Sequence, residues 1–435
     1  MKKHIYIPLL LLAFTLSVTA QDAVSITKTE VLTKVSENNT SIKISEEEFK
    51  QAKADFRQTN AVFLPNITAS HTAIATTNPL MAFGSKLNQE ILTQNDFNPA
   101  LLNDPSQIEN YATKFEIQQP LINFDGMYQR KAAKSKMEAM SLKTERTQEY
   151  LAFEVEKAYM QLQLAYKAVD VLDKALEAAN ANKKIADNSF KQGYLQRSDV
   201  LNVEVRVTEV QNQLQSAKSN VQNASNYLSF LMNDETYVVY TPTDELTVST
   251  FEMEDKSISE NRSDIKAMEL ASNAYEAMNK ADKMAFLPRL NAFGSYELYD
   301  DQIFQADANG YLFGAQLSWD IFQGSKRFGK AQKSKSEFEK SKLEYKQYVS
   351  QSNLELNKAK RALLDAENKL KLTALALEQS EESLRIRTNR FKEGLEKTSD
   401  LLMADTQFAQ KQLEYYQTIF EYNYAQAYLQ FLTKE

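Results

Sequence analysis

Side chains that commonly carry out chemistry are scarce in this sequence. The chain of 435 residues has no cysteine and two histidines. Disulfides, thiol catalysis and thiolate metal sites are therefore excluded, and so are sites that need a pair of histidines. His71 follows the first twenty residues, and a strand or loop position explains it better than metal binding does. The sequence predicts no catalytic residue, no metal site and no cofactor.

Carboxylates are plentiful, with 58 aspartates and glutamates, but no pair of them is placed like the acid and base of a hydrolase. Two carboxylates stand out by their context. Asp199 follows Ser198, and Asp400 follows Ser399, shortly after a glycine in two similar segments. Serine and aspartate at such positions are typical caps of an outgoing helix, because they accept hydrogen bonds from free backbone amides. Helix capping is therefore one interpretation of these four residues.

The elements that position these residues follow from the distribution of glycine and proline. Most of the 9 glycines and 8 prolines cluster at 65–126 and 288–329, while Gly193 and Gly394 stand alone. This distribution predicts two long helical hairpins, each of which turns at one of these isolated glycines. Apolar residues at heptad spacing, such as Val155, Leu162 and Val169, predict coiled-coil packing within the hairpins.

The two halves of the sequence resemble each other, which predicts a duplicated unit. Phe63-Leu64-Pro65 recurs as Phe286-Leu287-Pro288, and the segment from Asn188 to Gly193 recurs from Asn389 to Gly394. The first repeat is expected at 21–256 and the second at 257–435, each with a helix, a strand pair and a helical hairpin. About 25 extra residues are expected within the strand region of the first repeat.

Two strand pairs are predicted, near 66–76 and 111–124 in the first repeat and near 289–299 and 311–322 in the second. Tyr111, Phe115 and Ile117 alternate with Lys114 and Glu116. Strands of about ten residues with one apolar face are typical of an outer-membrane β-barrel; a half-buried sheet of a soluble domain is the alternative. Four strands cannot close a barrel, and lipid does not tolerate open edges, so a membrane location requires strands from several chains.

The first twenty residues have the features of a secretory signal peptide. Lys2 and Lys3 precede an apolar stretch, and the small-residue pattern that ends at Ala20 predicts cleavage after that residue; a membrane anchor is the alternative. Loss of the two lysines would change the formal net charge from −7 to −9, which argues against a nucleic-acid partner. The protein is expected to be exported, and without cysteine it is expected to have no lipid anchor.

With these features together, the chain resembles the outer-membrane efflux protein family, the TolC-like channels. The two Phe-Leu-Pro segments and the two hairpin turns carry the resemblance. The turns read Phe190-Lys191-Gln192-Gly193 before Ser198-Asp199-Val200-Leu201, and Phe391-Lys392-Glu393-Gly394 before Ser399-Asp400-Leu401-Leu402. The similarity covers essentially residues 30–435.

The resemblance implies a mainly α fold with a transmembrane β-barrel. Three chains would each contribute four strands to a 12-stranded barrel in the outer membrane, continued by a long α-helical coiled-coil barrel in the periplasm. It also implies a passive conduit, not an enzyme, in a tripartite export system. The expected partners are a periplasmic adaptor (membrane fusion) protein and an inner-membrane transporter, and the expected cargo is small toxic molecules or secreted substrates.

The resemblance further implies that the glycine turns form the periplasmic tip and dock the adaptor, through Gly193, Ser198, Gly394 and Ser399. Asp400 matches an acidic ring at the constriction of well-known members. Met403 stands where some members have a second aspartate, and Glu396 stands where the family has a basic residue. Our hypothesis is that three copies of Asp400 form a cation-attracting constriction, with Asp199 and Arg197 as links between hairpins. Helix capping by the aspartates remains the alternative.

The segment from Gly324 to Lys330 is similar to a phosphate-binding loop, but Ala331 stands where the required hydroxyl would be. A nucleotide site is therefore not expected. The basic residues at the helix starts are better explained as a collar near the inner lipid leaflet or as solvated side chains: Lys326, Arg327, Lys330, Lys131 and Lys134.

A soluble periplasmic coiled-coil scaffold or spacer remains the alternative function for the whole chain. Such a spacer would be extracted without detergent, whereas a channel would stay in outer-membrane fractions.

Overall fold

The computed structural model describes residues 23–236, 238–250 and 257–434, so the predicted signal peptide lies outside the described residues. This part of the chain is mainly helical. Its α-helices are α1 (Lys28–Asn38), α2 (Thr40–Gln58), α3 (Pro79–Asn88), α4 (Pro99–Asn103), α5 (Phe124–Lys191), α6 (Arg197–Met232), α7 (Ser263–Met284), α8 (Lys326–Lys392) and α9 (Thr398–Thr433). Its strands are β1 (Val24–Ile26), β2 (Asn66–Thr76), β3 (Ile108–Ile122), β4 (Tyr240–Pro242), β5 (Arg289–Asp300) and β6 (Ala308–Ser318).

The described residues form two compact units. The helical unit comprises the described residues up to Lys43 together with Thr147–Ile258 and Leu354–Lys434. The sheet unit comprises Ile44–Arg146 and Ser259–Asn353. Each unit thus combines segments from both halves of the sequence. No described helix is both long enough and apolar enough to cross a membrane.

Helices α5 and α8 are the longest elements, with 68 and 67 residues. Neither helix contains a proline, and their glycines, Gly126 and Gly329, lie within the first four residues. The ladder of backbone hydrogen bonds is therefore not interrupted by the residues that most disfavour a helix. This agrees with the long helices predicted from the glycine and proline distribution.

In the helical unit, the heptad positions of the first hairpin form a buried seam between α5 and α6. Val155, Leu162 and Leu228 are fully buried there. The second hairpin, α8 and α9, buries its seam less completely. One cluster of buried residues lies near the ends remote from the glycine turn: Leu356, Ala359, Leu363, Ala425, Leu429 and Leu432. Next to the turn, Leu401 and Ala404 on α9 are also buried. Leu370, Leu377 and Tyr415, closer to the turn, are only half-buried.

The sheet unit contains a four-stranded antiparallel sheet in the order β2-β3-β5-β6. The register aligns Ala69, Phe115, Tyr296 and Tyr311 in one row. Side chains of successive strand residues point to opposite faces, so the next row, with Ser70 and Lys114 beside Glu297 and Gly310, belongs to the other face. The predicted separation of an apolar face from a polar face is confirmed.

Strands β3 and β6 each begin three residues before the predicted segment and also end before its predicted end. Strand β3 ends at Ile122, and Phe124 begins helix α5, because the side chain of Asn123 accepts a hydrogen bond from the amide of Gly126 at 3.0 Å and so starts the helix. Strand β6 ends at Ser318, so Trp319 and the residues after it do not extend the sheet. The indole of Trp319 instead donates to the carbonyl of Phe286 at 3.0 Å.

The connection between β2 and β3 is longer than that between β5 and β6, spanning residues 77–107 against 301–307. The longer connection contains α3, α4 and a 3₁₀-helix at Gln94–Phe97, which accounts for the extra residues expected in the first repeat. The Lys86 ammonium lies 2.6 Å from Asp96, and with hydrogen bonds from Thr93 it lowers the pKa of Asp96 to about 2. This ion pair fastens α3 to the 3₁₀-helix.

Candidate functional site

The two hairpin turns, called the first tip (residues 189–200) and the second tip (residues 390–401), have the same backbone geometry. Gly193 and Gly394 have φ angles of 82° and 71°. At each tip the glycine amide and the amide after it donate back to the last helical turn, at 2.9–3.0 Å. This is a Schellman motif, in which the left-handed position favours glycine because it has no Cβ.

The aspartate of the first tip supports the start of α6. The Asp199 carboxylate accepts a hydrogen bond from the Gln196 amide at 3.1 Å. Gln196 is the N-cap residue, and Ser198 lies inside the first turn of the helix. The capping interpretation is therefore correct for Asp199 but wrong for Ser198, because the helix begins one residue before that serine.

Arg197 was predicted to link the hairpins, and among the described residues its ion pair lies within its own helix. Its guanidinium lies 3.8 Å from Glu204, a residue of the same helix. Glu204 also lies 3.5 Å from the ammonium of Lys183 on α5, and Lys183 contacts Asp187 at 2.8 Å. The described ion pairs of the first tip therefore join the two helices of one hairpin.

The second tip has a different helix start. Lys397 is the N-cap residue of α9 and makes no side-chain capping bond. Ser399 and Asp400 both lie within the first turn, and the Ser399 hydroxyl donates to the Asp400 carboxylate at 3.2 Å. The capping alternative is wrong for Ser399, again because α9 begins before it. Asp400 is partly exposed.

Glu396 is the residue that fastens the second tip, and the sequence did not identify it. One carboxylate oxygen lies 2.7 Å from Arg387 and the other lies 2.8 Å from Arg390. Arg390 also donates to the carbonyl of Leu395 at 3.2 Å. The Glu396 side chain is 10% exposed, so its charge is compensated by two guanidinium groups. The sequence signal was two arginines, three residues apart, on the helix that precedes the turn.

A second missed contact joins the two hairpins. The Arg206 guanidinium on α6 lies 3.1 Å from the Asp405 carboxylate on α9, and both side chains are about 5% exposed. Burial raises the pKa of Asp405, while Arg206 opposes that increase. An isolated buried charge would be costly, and the pair satisfies both groups. Charged residues within the heptad seam of each hairpin were the available signal.

Two basic residues of the glycine-rich segment, Arg327 and Lys330, lie at the start of α8. Lys330 pairs with Asp282 at 2.8 Å. The guanidinium of Arg327 donates to the carbonyls of Asp320 and Ala285. These side chains therefore contact the protein itself at the helix start. In the first repeat, Lys134 lies 3.6 Å from Glu138.

The faces of the sheet form a second candidate site. On the apolar face, Phe115, Tyr296 and Tyr311 are 46%, 44% and 77% exposed. His71 lies on the same face, where its Nδ1 is 2.9 Å from the Thr113 hydroxyl and its ring stacks on Phe304. The histidine thus belongs to a strand, as the sequence suggested. A broad exposed apolar surface of this kind is a site for lipid or protein contact.

The sequence profile of the outer membrane efflux protein family matches residues 31–234 and 256–433 of the chain. No curated protein shows significant similarity to it.

Several solved structures share the fold. CusC superposes with a TM-score of 0.80 and 14% sequence identity, over 94% of this chain and 92% of CusC. A membrane protein from Pseudomonas aeruginosa gives a TM-score of 0.81 with 17% identity over 93% of both chains. The CmeC outer membrane channel of Campylobacter jejuni gives 0.78 with 16% identity, over 93% of this chain and 85% of that one.

Proposed function

The chain belongs to the outer membrane efflux protein family, and from this premise we propose that it is the outer-membrane channel of a tripartite export system. It acts as a passive conduit, not an enzyme. An inner-membrane transporter supplies small toxic molecules or secreted substrates, and a periplasmic adaptor protein connects that transporter to the channel. Residues 1–20 direct export and are removed, and no lipid anchor is attached.

The sheet carries this proposal. Its strands alternate in direction, and β2 and β6 are its edges. Edge strands expose unpaired amides and carbonyls, which lipid does not tolerate. Because β2 and β6 run in opposite directions, β6 of one chain can pair with β2 of the next in the same antiparallel pattern. Three copies then close a barrel of 12 strands, with the apolar face toward lipid.

Cysteine crosslinking tests this closure directly, since the chain has no cysteine of its own. Ala69→Cys on β2 is combined with single cysteines along β6, from Tyr311→Cys to Leu317→Cys. At one register, oxidation should yield covalent trimers in detergent-extracted outer membranes. Ala69→Cys with Phe115→Cys is the matched control, because these positions are neighbours within one chain. Absence of crosslinked multimers at every register, or extraction of the protein without detergent, would contradict the barrel.

The tips supply the proposed docking surface for the adaptor, around Gly193, Ser198, Gly394 and Ser399. The residues after the glycines, Tyr194 and Leu395, are 80% and 67% exposed, although they are apolar. A photo-crosslinking amino acid at either of these two positions should capture a periplasmic adaptor in intact cells. The same amino acid at Gln211, an exposed position on α6, should not. Equal capture at all three positions would contradict docking at the tips.

Asp400 is proposed to form the constriction, with three copies attracting cations into the channel. Asp199 and Arg197 lie beside this constriction at the first tip. Single-channel recordings of Asp400→Ala should show weaker cation preference and weaker block by metal ions, while Asp199→Ala should change these less. Unchanged conductance and selectivity in Asp400→Ala would leave that residue without a role in permeation.

We also propose that residues 21–256 and 257–435 are two copies of one ancestral unit. Each contains a strand pair followed by a long hairpin with a Schellman turn, and the family profile matches the chain in two segments of similar extent.

A further inference from the structure

The polar face of the sheet carries few charges. Arg289 on this face pairs with Asp125 at 2.5 Å. The other charged residues on this face, within the described strands, are Lys114, Glu116 and Glu297. We call these three residues the strand cluster. The remaining positions are uncharged, with mainly threonine and serine on β2, and with small residues, Leu312 and Gln316 on β6.

The strand cluster is compact and held in place by its neighbours. The Lys114 ammonium lies 3.2 Å from Glu116 and 3.4 Å from Glu297. Glu297 is directly opposite Lys114 in the strand register, and Glu116 lies two residues further along β3, opposite Ser295. Gln118 donates to Glu116 at 3.0 Å, and the Tyr299 hydroxyl donates to Glu297. The three charged side chains are 27–40% exposed.

We propose that the strand cluster makes the membrane-spanning part of the channel selective for cations, in addition to any selectivity at the tips. This inference rests on the proposed trimeric barrel, in which the polar face lines the lumen. One ammonium and two carboxylates leave one net negative charge per chain, and three in a narrow band around the closed barrel. Lys114 reduces the repulsion between the carboxylates and so allows both to lie close together.

The charge acts on permeating ions because of its surroundings. A lumen bounded by low-dielectric walls focuses the field of the charges that line it, and rings of charged side chains are a common basis of ion selectivity. The apolar face between Ile67 and Ala73 on β2, and between Tyr111 and Ile117 on β3, adds no opposing charge. The effect should depend on salt, since the screening length falls from about 10 Å at 0.1 M to about 3 Å at 1 M.

Reversal potentials in planar bilayers under a KCl gradient near 0.1 M test the proposal. Glu116→Gln/Glu297→Gln should shift the reversal potential toward that of chloride, and Lys114→Gln should shift it the opposite way. Glu109→Gln is the matched control, because Glu109 is an exposed glutamate on the same strand with its side chain on the opposite face. It should leave the potential unchanged. Glu116→Asp keeps the negative charge and should have the same selectivity as the wild type.

The outcomes separate this inference from the function on which it rests. The proposal is supported if the carboxylate and lysine variants shift the reversal potential in opposite directions and these shifts vanish at 1 M KCl. The shifts should also add to the effect of Asp400→Asn at the tips. If the wild-type channel conducts, and the carboxylate and lysine variants both have its selectivity, the proposed role of the strand cluster is overturned and the channel function is not affected. Absence of any wild-type conductance would overturn both. Each variant is first checked for a heat-modifiable trimer on gels, and the single variants Glu116→Gln and Glu297→Gln replace the double variant if that one does not assemble.

Discussion

The first and second tips share one backbone turn but are fastened by different side chains. At the first tip, Asp199 supports the start of α6, and Lys183 reaches across from α5 to Glu204. At the second tip, Glu396 binds two arginines of the preceding helix, and α9 starts without a side-chain cap. The aligned positions of the first tip have no such group, since Leu195 stands where Glu396 does.

This difference shows that the turn and its fastening are separable features. The turn depends on hydrogen bonds within about six residues and on one glycine, so both copies keep it. The fastening depends on side chains that meet from different turns or helices, and it has changed between the copies. Both hairpins bury apolar residues next to the tip, Val200 and Val203 in the first and Leu401 and Ala404 in the second. The two tips therefore differ in their ionic contacts and share apolar packing.

The largest effect is expected from the buried pair that joins the hairpins. Asp405→Ala should lower the opening free energy of α6 and α9 by about 3–5 kcal/mol, because it leaves Arg206 buried without a counter-charge. Native-state hydrogen exchange of the two helices measures this loss. Arg206→Met with Asp405→Leu should recover most of it, since both charges are then removed. If the double variant is as unstable as Asp405→Ala, the loss of stability comes from losing the ion pair and not from burying Arg206 without a counter-charge.

The same pair gives a pH dependence with a defined sign. Because burial raises the pKa of Asp405 in the folded protein, the folded state binds this proton more tightly than the unfolded chain does. The contribution of Asp405 to stability should therefore fall as the pH rises from its unfolded pKa through its raised folded pKa. Asp405→Asn should remove this slope from the hydrogen-exchange data. A slope of the opposite sign in the wild type would contradict the raised pKa.

Replacing the turn glycines tests whether the two tips are equivalent in backbone. Gly193→Ala and Gly394→Ala should each cost about 1–2 kcal/mol, because the left-handed conformation is unfavourable for alanine. An added Cβ meets no atom within 4 Å at either position, so the cost is conformational. Exchange of the amides that flank each glycine measures it. Clearly unequal costs would show that one tip can adopt another turn.

Loss of the arginine–glutamate contact should affect only the second tip. Glu396→Gln should lower the opening free energy of the second tip, measured by amide hydrogen exchange, by about 1 kcal/mol. The value is modest because both arginines are about half exposed. Leu195→Gln is the matched control at the first tip and should change protection little. Introducing Ser189→Arg and Leu195→Glu together, which reproduces the pairing of Arg390 with Glu396, should slow amide exchange at the first tip. If it does not, the contact depends on more than these two side chains.

The smallest difference is expected between the two aspartates. Asp199→Ala should cost about 0.5 kcal/mol, because it removes the acceptor for the Gln196 amide at the start of α6. Asp400→Ala should cost less, since the described bond of the Asp400 carboxylate is to the Ser399 hydroxyl and not to the amide of the N-cap residue Lys397. Amide exchange in the first turn of each helix provides the comparison. Equal costs would mean that proximity to the helix dipole matters more than the capping bond.

Much of the fold could be predicted from local patterns. The glycine and proline distribution indicated the long helices and the turns at Gly193 and Gly394. Strand alternation indicated which face of the sheet is apolar, as the row through Phe115 and Tyr311 confirms. The strand ends were less predictable, because Asn123 and Trp319 make hydrogen bonds that no periodicity encodes. The side chains of Ser198 and Ser399 are suitable for capping, which made capping one interpretation, but the helices begin before them.

The sequence by itself determined what depends on neighbouring residues: the helices, the glycine turns, the strand faces and the family to which the chain belongs. Only the tertiary structure decided which charges meet. Arg206 and Asp405 are separated by nearly 200 residues, and Lys114 and Glu297 by a similar distance in the chain. Their contacts arise from the packing of α6 on α9 and the register of β3 on β5. Periodicity specifies the face on which a residue lies, but partners across a helix or sheet interface are fixed by how whole elements pack.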